Sequence, residues 1–340
     1  MGRILTKLLF FLSITLLILV GANDSFAQEK NNQFSITPLN PENDQPQSSY
    51  YDLKMAPQEK KELKLRISNK NEAPLKVKIE LNNGTTNDNG ITSYLNNDSR
   101  DSTLKIAFED IANIENSIVV VPSNGTKDVL VTLTLPDQKF LGVILGGIRF
   151  TQLDSENSKR SSASVIAKSA YTVGVVVREN EKEIEPNIKL NDVIATQRNY
   201  RNYITANLQN TEPRILKTLK VKAEVYKADK NKLMYKSEQD GMRMAPNSNF
   251  NFGVNLNDQK LMFGKYLLKL VVEADGKKFL FEKSFTISKK EAFRLNKNAV
   301  LVKSDNLNIY FFISVFFILF VVSLFMVCLL YKKKLLKGGK

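Results

Sequence analysis

Apolar and polar residues alternate along most of the chain with the period of two that half-buried β-strands require. Residues 63–67 and 75–81 alternate in this way on either side of a polar turn that ends at Pro74. The alternation is cleanest at 250–256, and Asp275–Gly276 separate two further strands as expected in a hairpin. Short strands separated by turns predict β-sandwiches rather than a helical fold.

A polar segment with little to bury divides the strands into two groups. A valine-rich strand at 170–177 resumes the alternation after this segment, and Pro186 opens the second set of strands. We expect a first β-sandwich over 28–153, a hairpin tip or interdomain linker over 154–164, and a second β-sandwich over 165–290.

The beginning of the chain has the pattern of a secretory signal. Arg3 and Lys7 precede a nearly continuous apolar run over 8–20, and small residues follow at the positions that a signal peptidase requires. The run is shorter than the roughly 20 residues of a stable membrane span. We predict a signal peptide over 1–27, cleaved before Gln28, with an uncleaved anchor as the alternative.

The other end carries an uncharged apolar run from 309 to 330, which at about 1.5 Å per residue crosses the roughly 30 Å hydrocarbon layer. Five lysines follow, and Lys-rich flanks stay on the cytoplasmic side. We predict a stalk over 291–308, a transmembrane helix over 309–331 and a cytoplasmic Lys-rich tail over 332–340. The expected location is the cell membrane, single-pass, with the ectodomain on the cell-wall side.

Two similar hexapeptides indicate that the two groups of strands are related. LKVKIE at 75–80 and LKVKAE at 219–224 each follow a strand and a turn that contains Asn and Pro. The predicted fold class is an all-β ectodomain of two tandem immunoglobulin-like β-sandwiches, followed by a single transmembrane α-helix.

Composition and charge narrow the class of function. The chain has no His, which excludes Ser-His and Cys-His catalytic pairs and imidazole metal ligands. Its one cysteine, Cys328, lies in the predicted span, so the ectodomain forms no disulfide, which favours a bacterial surface. The formal charge is +14, and about +8 remains on the exported part. Such a surface fits anionic wall polymers or phospholipid head groups, whereas nothing in the chain indicates a nucleic-acid partner.

No arrangement of catalytic, cofactor-binding or metal-binding residues is recognisable. Carboxylates such as Glu109 with Asp110 are expected to be solvated surface charge, and 87–90 is expected to be a turn rather than a calcium loop. The glycines of 142–147 are expected to permit a bulge or a close strand approach. The candidate ligand contacts are therefore polar and aromatic residues in turns, with a half-buried strand position as the alternative for each tyrosine: Tyr50, Tyr51, Thr85, Thr86, Asn87 and Tyr94.

Several segments together resemble the WxL-interacting surface proteins of Gram-positive bacteria. They are the opening at 34–43 with 50–53, the turn-rich stretch 83–94, and 142–148. Asp44 departs from the family pattern, in which a Gln follows the opening directly. The resemblance implies an N-terminal peptidoglycan-binding domain, a host-binding domain, and action beside WxL-domain proteins.

The expected function is a non-catalytic surface adaptor or adhesin, not an enzyme. Its expected partners are peptidoglycan, WxL-domain surface proteins and, as the resemblance implies, host extracellular-matrix proteins; no cofactor is expected. The alternative is a chaperone-like or structural protein that lends an edge strand during assembly of surface complexes. An enzyme that acts on wall glycan is the least favoured class.

Overall fold

The computed structural model of the chain describes residues 34–40, 42–47, 50–95, 99–153, 169–229, 231–300 and 307–337. The predicted signal peptide and the segment 154–164 lie outside the described residues, as do the last three residues of the predicted tail. The expectation of an all-β fold ahead of the C-terminal segment is confirmed, since strands account for nearly all of the regular structure before residue 288.

The first part of the chain forms two facing sheets and a short two-stranded ribbon. Its elements are β1 (Phe34–Leu39), β2 (Tyr50–Lys54), β3 (Lys60–Asn69), β4 (Leu75–Asn83), β5 (Thr85–Thr86), β6 (Thr92–Ser93), helix α1 (Phe108–Ile111), β7 (Ala112–Ile114), β8 (Ile118–Val121), β9 (Thr126–Thr134), β10 (Ile144–Gln152) and β11 (Ala170–Arg178).

One sheet of this first domain has the strand order β1-β3-β9-β7, and the other has the order β2-β11-β10-β4-β8. Successive side chains in a strand point to opposite faces, so the alternation in the sequence places one set of apolar residues between the sheets. Leu63, Leu65 and Ile67 of β3 are fully buried there, opposite Val77 of β4 and Phe150 of β10.

The second part repeats this construction and ends in helices. Its elements are β12 (Ile188–Arg198), β13 (Arg201–Asn210), β14 (Leu216–Lys227), β15 (Lys232–Met244), β16 (Ser248–Asn255), β17 (Gly264–Ala274), β18 (Lys277–Ile287), α2 (Lys289–Asn298) and α3 (Leu307–Lys337). The sheets have the orders β12-β13-β16 and β15-β14-β17-β18, and they enclose a separate core. The predicted hairpin at Asp275–Gly276 is confirmed by the β17–β18 pairing.

The two domains share one strand order. Strands β1, β3 and β9 correspond to β12, β13 and β16, and strands β11, β10, β4 and β8 correspond to β18, β17, β14 and β15. A buried asparagine ends the equivalent strands β3 and β13 and makes the same kind of hydrogen bonds in both domains. Asn69 donates to the carbonyls of Ala73 and Pro122, and Asn210 donates to those of Arg214 and Ala245. The similar hexapeptides therefore occupy equivalent strands, β4 and β14.

The expected start of the second domain at residue 165 needs correction. β11 pairs antiparallel with β10 and parallel with β2, so it completes a sheet of the first domain. The polar segment 154–164 therefore follows β10 and precedes β11, which are neighbouring strands of one sheet. The connection between the domains is the extended stretch 179–187, which follows β11 and precedes β12.

The expected end of the second domain at residue 290 also needs correction. The predicted stalk begins as α2, whose Ala292 and Leu295 are buried in the core of the second domain. The Ser288 hydroxyl caps this helix by accepting from the Glu291 amide. Only the chain beyond α2 is free to act as a stalk.

Helix α3 covers the whole of the predicted transmembrane segment 309–331. Its side chains are described at 311–327 and at Leu329, where each is exposed. Over the described residues, no helix meets the length and apolarity that a membrane span requires.

Candidate functional site at the domain junction

A long insertion in the first domain makes most of the contacts with the second. The chain between β4 and β8, residues 84–117, contains β5, β6, α1 and β7, whereas only residues 228–231 separate the equivalent strands β14 and β15. We call residues 84–117 the junction insertion; they are described at 84–95 and 99–117.

Two glycines of β10 allow parts of the junction insertion to approach the sheet closely. A Cβ atom on Gly146 would lie 1.9 Å from Cγ of Phe108, the first residue of α1. A Cβ on Gly147 would lie 2.7 Å from the ring of Tyr94. These glycines were expected to permit a bulge or a close strand approach, whereas at Gly146 and Gly147 they permit the close approach of a helix and an aromatic ring.

A ring of buried hydrogen bonds joins the insertion to the second domain at Thr86. The Ala245 amide donates to Thr86 Oγ1 (2.9 Å), and the Ser248 hydroxyl donates to the Ala245 carbonyl (2.8 Å). Since the Ser248 proton is used in that bond, the Thr86 hydroxyl donates to Ser248 Oγ across 2.7 Å. All three residues are buried, so water cannot hydrogen-bond to their polar groups. The three mutual hydrogen bonds satisfy these groups instead.

Two aspartates extend this contact at the surface. Asp88 accepts from the Asn251 amide (3.0 Å) and pairs with the Arg198 guanidinium (3.2 Å). Asp101 accepts from Gln209 Nε2 (2.8 Å) and Asn249 Nδ2 (2.5 Å). The two carboxylates therefore bind backbone and side-chain groups of the same three-stranded sheet from different parts of the insertion.

A second contact lies at the interdomain connection. The Val143 amide donates to the Pro213 carbonyl across 2.7 Å. Gly142 adopts a left-handed φ of 82° there, and a Cβ on it would lie 2.0 Å from the same carbonyl oxygen. Glycine is thus required at this position by both backbone conformation and space.

A polar cleft of about 540 Å³ opens where the two domains meet. The junction insertion supplies one wall, with Thr85, Arg100 and Glu109, and β16 supplies the other, with Asn249 and Asn251. The amides and hydroxyls of these walls offer donors and acceptors, and the carboxylates offer acceptors. Arg100 is paired with both oxygens of Asp110. The cleft is therefore suited to binding a polar molecule.

Asp101 is the titratable group through which acid is expected to weaken the junction. Burial opposes its ionisation, but hydrogen bonds from Asn249, Thr103 and Gln209 favour the charged form more, so its pKa is lowered. A lowered folded-state pKa contributes stability above the unfolded value of about 3.9, and this stability is lost as the pH falls through the folded pKa.

We expect the domains to separate more readily below about pH 4 than at pH 7. In that range the Asp101 carboxylate takes up a proton when the domains separate, because its pKa then returns to its ordinary value. Proteolysis of the connection 179–187, followed by gel electrophoresis at each pH, measures this. The Asp101→Asn variant should be cleaved readily at both values. An acid-independent wild-type cleavage rate would contradict the assignment.

Two domain families match the chain. Residues 34–152 match the WxL Interacting Protein peptidoglycan binding domain, and residues 160–297 match the WxL Interacting Protein host binding domain. The chain belongs to the WxL-interacting protein family. The host-binding match begins before β11, so it includes a strand that lies in a sheet of the first domain. Both matched domains are binding domains, which supports a binding role at a surface.

Comparison with solved structures adds no further conclusion about this WxL-interacting protein. A complex of Salmonella enterica SafA pilin with the SafB chaperone aligns at 9% identity, with a TM-score of 0.32, over 75% of this chain and 96% of that one. The E. coli chaperone DraB aligns at 13% identity, with a TM-score of 0.30, over 75% and 96%. Scores this low support no statement about the chain. No curated protein matches it.

Three of the candidate contacts predicted from the sequence lie together at the junction. Thr85 lines the cleft, and its hydroxyl donates to the Ser93 carbonyl. Thr86 is buried against the second domain. Asn87 also lines the cleft, and its carboxamide oxygen accepts from the amides of Asn89 and Ile91. The predicted turn at 87–90 is thus confirmed.

The three tyrosines lie elsewhere. Tyr51 is in the core, where its hydroxyl donates to the Lys64 carbonyl (2.7 Å) and burial raises its pKa to about 12. Tyr94 covers Gly147 on the outer face of the sheet, and burial raises its pKa too. Tyr50 is half exposed on β2. Their role as ligand contacts stays a prediction.

The contribution of the second domain was not predicted from the sequence. Asn249 and Asn251 alternate with Phe250 and Phe252 at the start of β16 and line the cleft, together with Asn247 just before the strand. The alternation of β16 was recognised in the sequence, but no role was assigned to its polar side. Among the described residues, no group of acidic or Cys side chains is placed to hold a metal ion.

Proposed function

We propose that the chain is a non-catalytic, membrane-anchored adaptor of the cell surface. The first domain would hold peptidoglycan and a WxL-domain protein, and the second would contact host matrix components. The two family matches support the peptidoglycan and host parts of this proposal. The repeated arrangement of two facing sheets supports an immunoglobulin-like architecture for each domain.

The membrane anchor is proposed from the sequence and from α3. The run over 309–331 is uncharged and is followed by lysines, as in a span whose tail is cytoplasmic. Within α3 the described side chains are apolar apart from Ser314 and Ser323, and they are exposed to the surroundings. A bilayer would cover them. Together with the signal peptide predicted at 1–27, such an anchor would hold both β domains outside the cell.

The polar cleft at the junction is the observation that carries the peptidoglycan proposal further. Its walls come from both domains, and buried hydrogen bonds at Thr86 hold them in register. Sugar hydroxyls and peptide amides of the wall polymer each donate and accept hydrogen bonds. The amides of the cleft do the same, and its carboxylates accept. Peptidoglycan is therefore the ligand class that we assign to it.

A sedimentation assay tests the adaptor proposal. The full chain in detergent is mixed at physiological salt with purified peptidoglycan, and separately with an immobilised WxL-domain protein. We expect retention by both. Failure to retain either ligand would defeat the proposal, and release of soluble fragments from peptidoglycan would contradict a non-catalytic role.

The Glu109→Ala variant tests whether the cleft is the site. Glu109 is exposed on the cleft wall, where its carboxylate can accept from a ligand hydroxyl. Loss of one such hydrogen bond should weaken retention on peptidoglycan by about 2- to 10-fold. Glu115→Ala is the matched control, because Glu115 is an exposed glutamate of the same insertion that does not line the cleft. Equal retention of the two variants on peptidoglycan would contradict the assignment of the cleft as the binding site.

A further inference from the structure

The end of the second domain from which the chain leaves toward α3 carries exposed apolar side chains. Phe293 on α2 is 71% exposed, and Met262, Phe263 and Tyr200 are each about half exposed or more. Val300, the last described residue before α3, is also 71% exposed. Large apolar side chains grouped at one end of a domain mark a contact surface. We call these five residues the basal patch.

Hydrogen bonds hold the parts of the basal patch together. Asn296 of α2 accepts from the Leu261 amide (2.8 Å) and donates to the Leu261 carbonyl (2.9 Å), which fixes the loop of Met262 and Phe263 against the helix. The Val300 amide donates to the Tyr200 carbonyl (3.1 Å), which fixes the exit of the chain beside the β12–β13 turn. The patch is thus a built surface.

Basic side chains surround the exposed ring of Phe293. Lys289 and Lys297 lie one turn before and one turn after it on the same helix face, and Lys290 and Arg294 are also exposed. The Lys289 ammonium group lies 5.1 Å from the centre of the Phe263 ring. Glu291 is the acidic residue of α2. Apolar rings among lysines are the pattern of a surface that lies on an anionic bilayer.

We propose that the basal patch rests on the head groups of anionic phospholipids and sets the orientation of the ectodomain on the membrane. The proposal rests on the membrane anchor proposed above. α3 begins at Leu307, seven residues after Val300, so a bilayer that contains α3 lies within reach of the patch. Seven residues span at most about 25 Å. The lysines would meet the lipid phosphates while the rings enter the interface.

Because the chain has no Trp, a single introduced Trp is a unique fluorescent reporter. The full-length Phe293→Trp variant is placed in phosphatidylglycerol vesicles that contain a lipid with a nitroxide on its head group. The matched control is Leu280→Trp, since Leu280 is 73% exposed in the same domain. It lies seven residues up β18 from Ile287, or about 23 Å along the strand from the start of α2.

We expect the nitroxide to quench the Phe293→Trp reporter several times more strongly than the Leu280→Trp reporter. Replacing Lys290 and Arg294 by Gln should reduce the population with the basal patch on the head groups, relative to the population with the patch in water, about fivefold for each charge removed. Most of the difference in quenching between the two reporters should then disappear. Added salt should act in the same direction.

Chains that float with the vesicles are anchored in the membrane. If the two reporters in such chains are quenched equally, or not at all, the lipid contact of the basal patch is contradicted and the proposed anchor is not. Chains that do not float with the vesicles would overturn both. Retention on peptidoglycan is measured separately, because it reports on the cleft and not on the lipid contact.

Discussion

Replacing Gly146 by alanine is expected to lower the free energy of unfolding of the first domain by about 3 kcal/mol, the upper end of the usual range for overpacked cores. The new Cβ would lie 1.9 Å from Cγ and 2.4 Å from Cβ of Phe108, which is fully buried. Because the Phe108 Cβ is fixed by its backbone, no change of rotamer relieves the clash. Helix α1 itself must move away from the sheet.

Urea unfolding followed by circular dichroism measures this effect, with each domain analysed as its own transition. Gly174→Ala is the control: Gly174 lies in the neighbouring strand, and its added Cβ would be 3.3 Å from the Tyr94 hydroxyl and 3.7 Å from the Tyr50 Cβ. We expect that variant to differ from wild type by less than about 1 kcal/mol, because reduced freedom of the unfolded chain offsets a mild contact. Equal midpoints for the two variants would contradict the packing argument.

Thr86→Val is expected to weaken the association of the two domains by about 2–3 kcal/mol. Valine has nearly the same shape as threonine but cannot accept from the Ala245 amide or donate to Ser248. The buried amide is then left without a partner, which costs more than the hydrogen bond itself contributes. Each domain keeps its own core, so the effect should fall on the junction.

Hydrogen exchange of the Ala245 amide reports this directly, and proteolysis of the connection 179–187 reports the separation of the domains. Thr85→Val is the matched control, since the Thr85 hydroxyl donates within the insertion to the Ser93 carbonyl across 3.3 Å. A double-mutant cycle with Ser248→Ala should give a coupling energy well above zero. Protection of Ala245 that is equal in both valine variants would contradict the hydrogen-bond ring.

The strands that the sequence predicted are those with one face in a core. In β3 from Leu63, in β4 up to Ile79 and throughout β16, every second residue is buried, so the alternation is strong. β11 was also predicted as a strand, but it was assigned to the wrong domain. A polar stretch between two strands looks the same in the sequence whether it joins neighbours in a sheet or separate domains, and only the pairing of β11 with β10 decides between them.

The site was predicted only in part for a related reason. Turn residues such as Thr85 and Asn87 attract notice because few residue types form tight turns. The asparagines of β16 do not, because a polar strand face has the same pattern whether it meets water or another polar surface. Asp101, which binds Asn249, is separated from it by more than one hundred residues. No local pattern brings such residues together.

The junction insertion has a consequence for how such proteins diversify. Most contacts that fix the orientation of the second domain relative to the first come from the junction insertion between β4 and β8. The equivalent connection in the second domain, between β14 and β15, is a short turn. Lengthening, shortening or exchanging the junction insertion would change the orientation of the two domains relative to each other and the shape of the cleft between them, without disturbing either core. One short stretch of coding sequence could therefore change both reach and ligand preference.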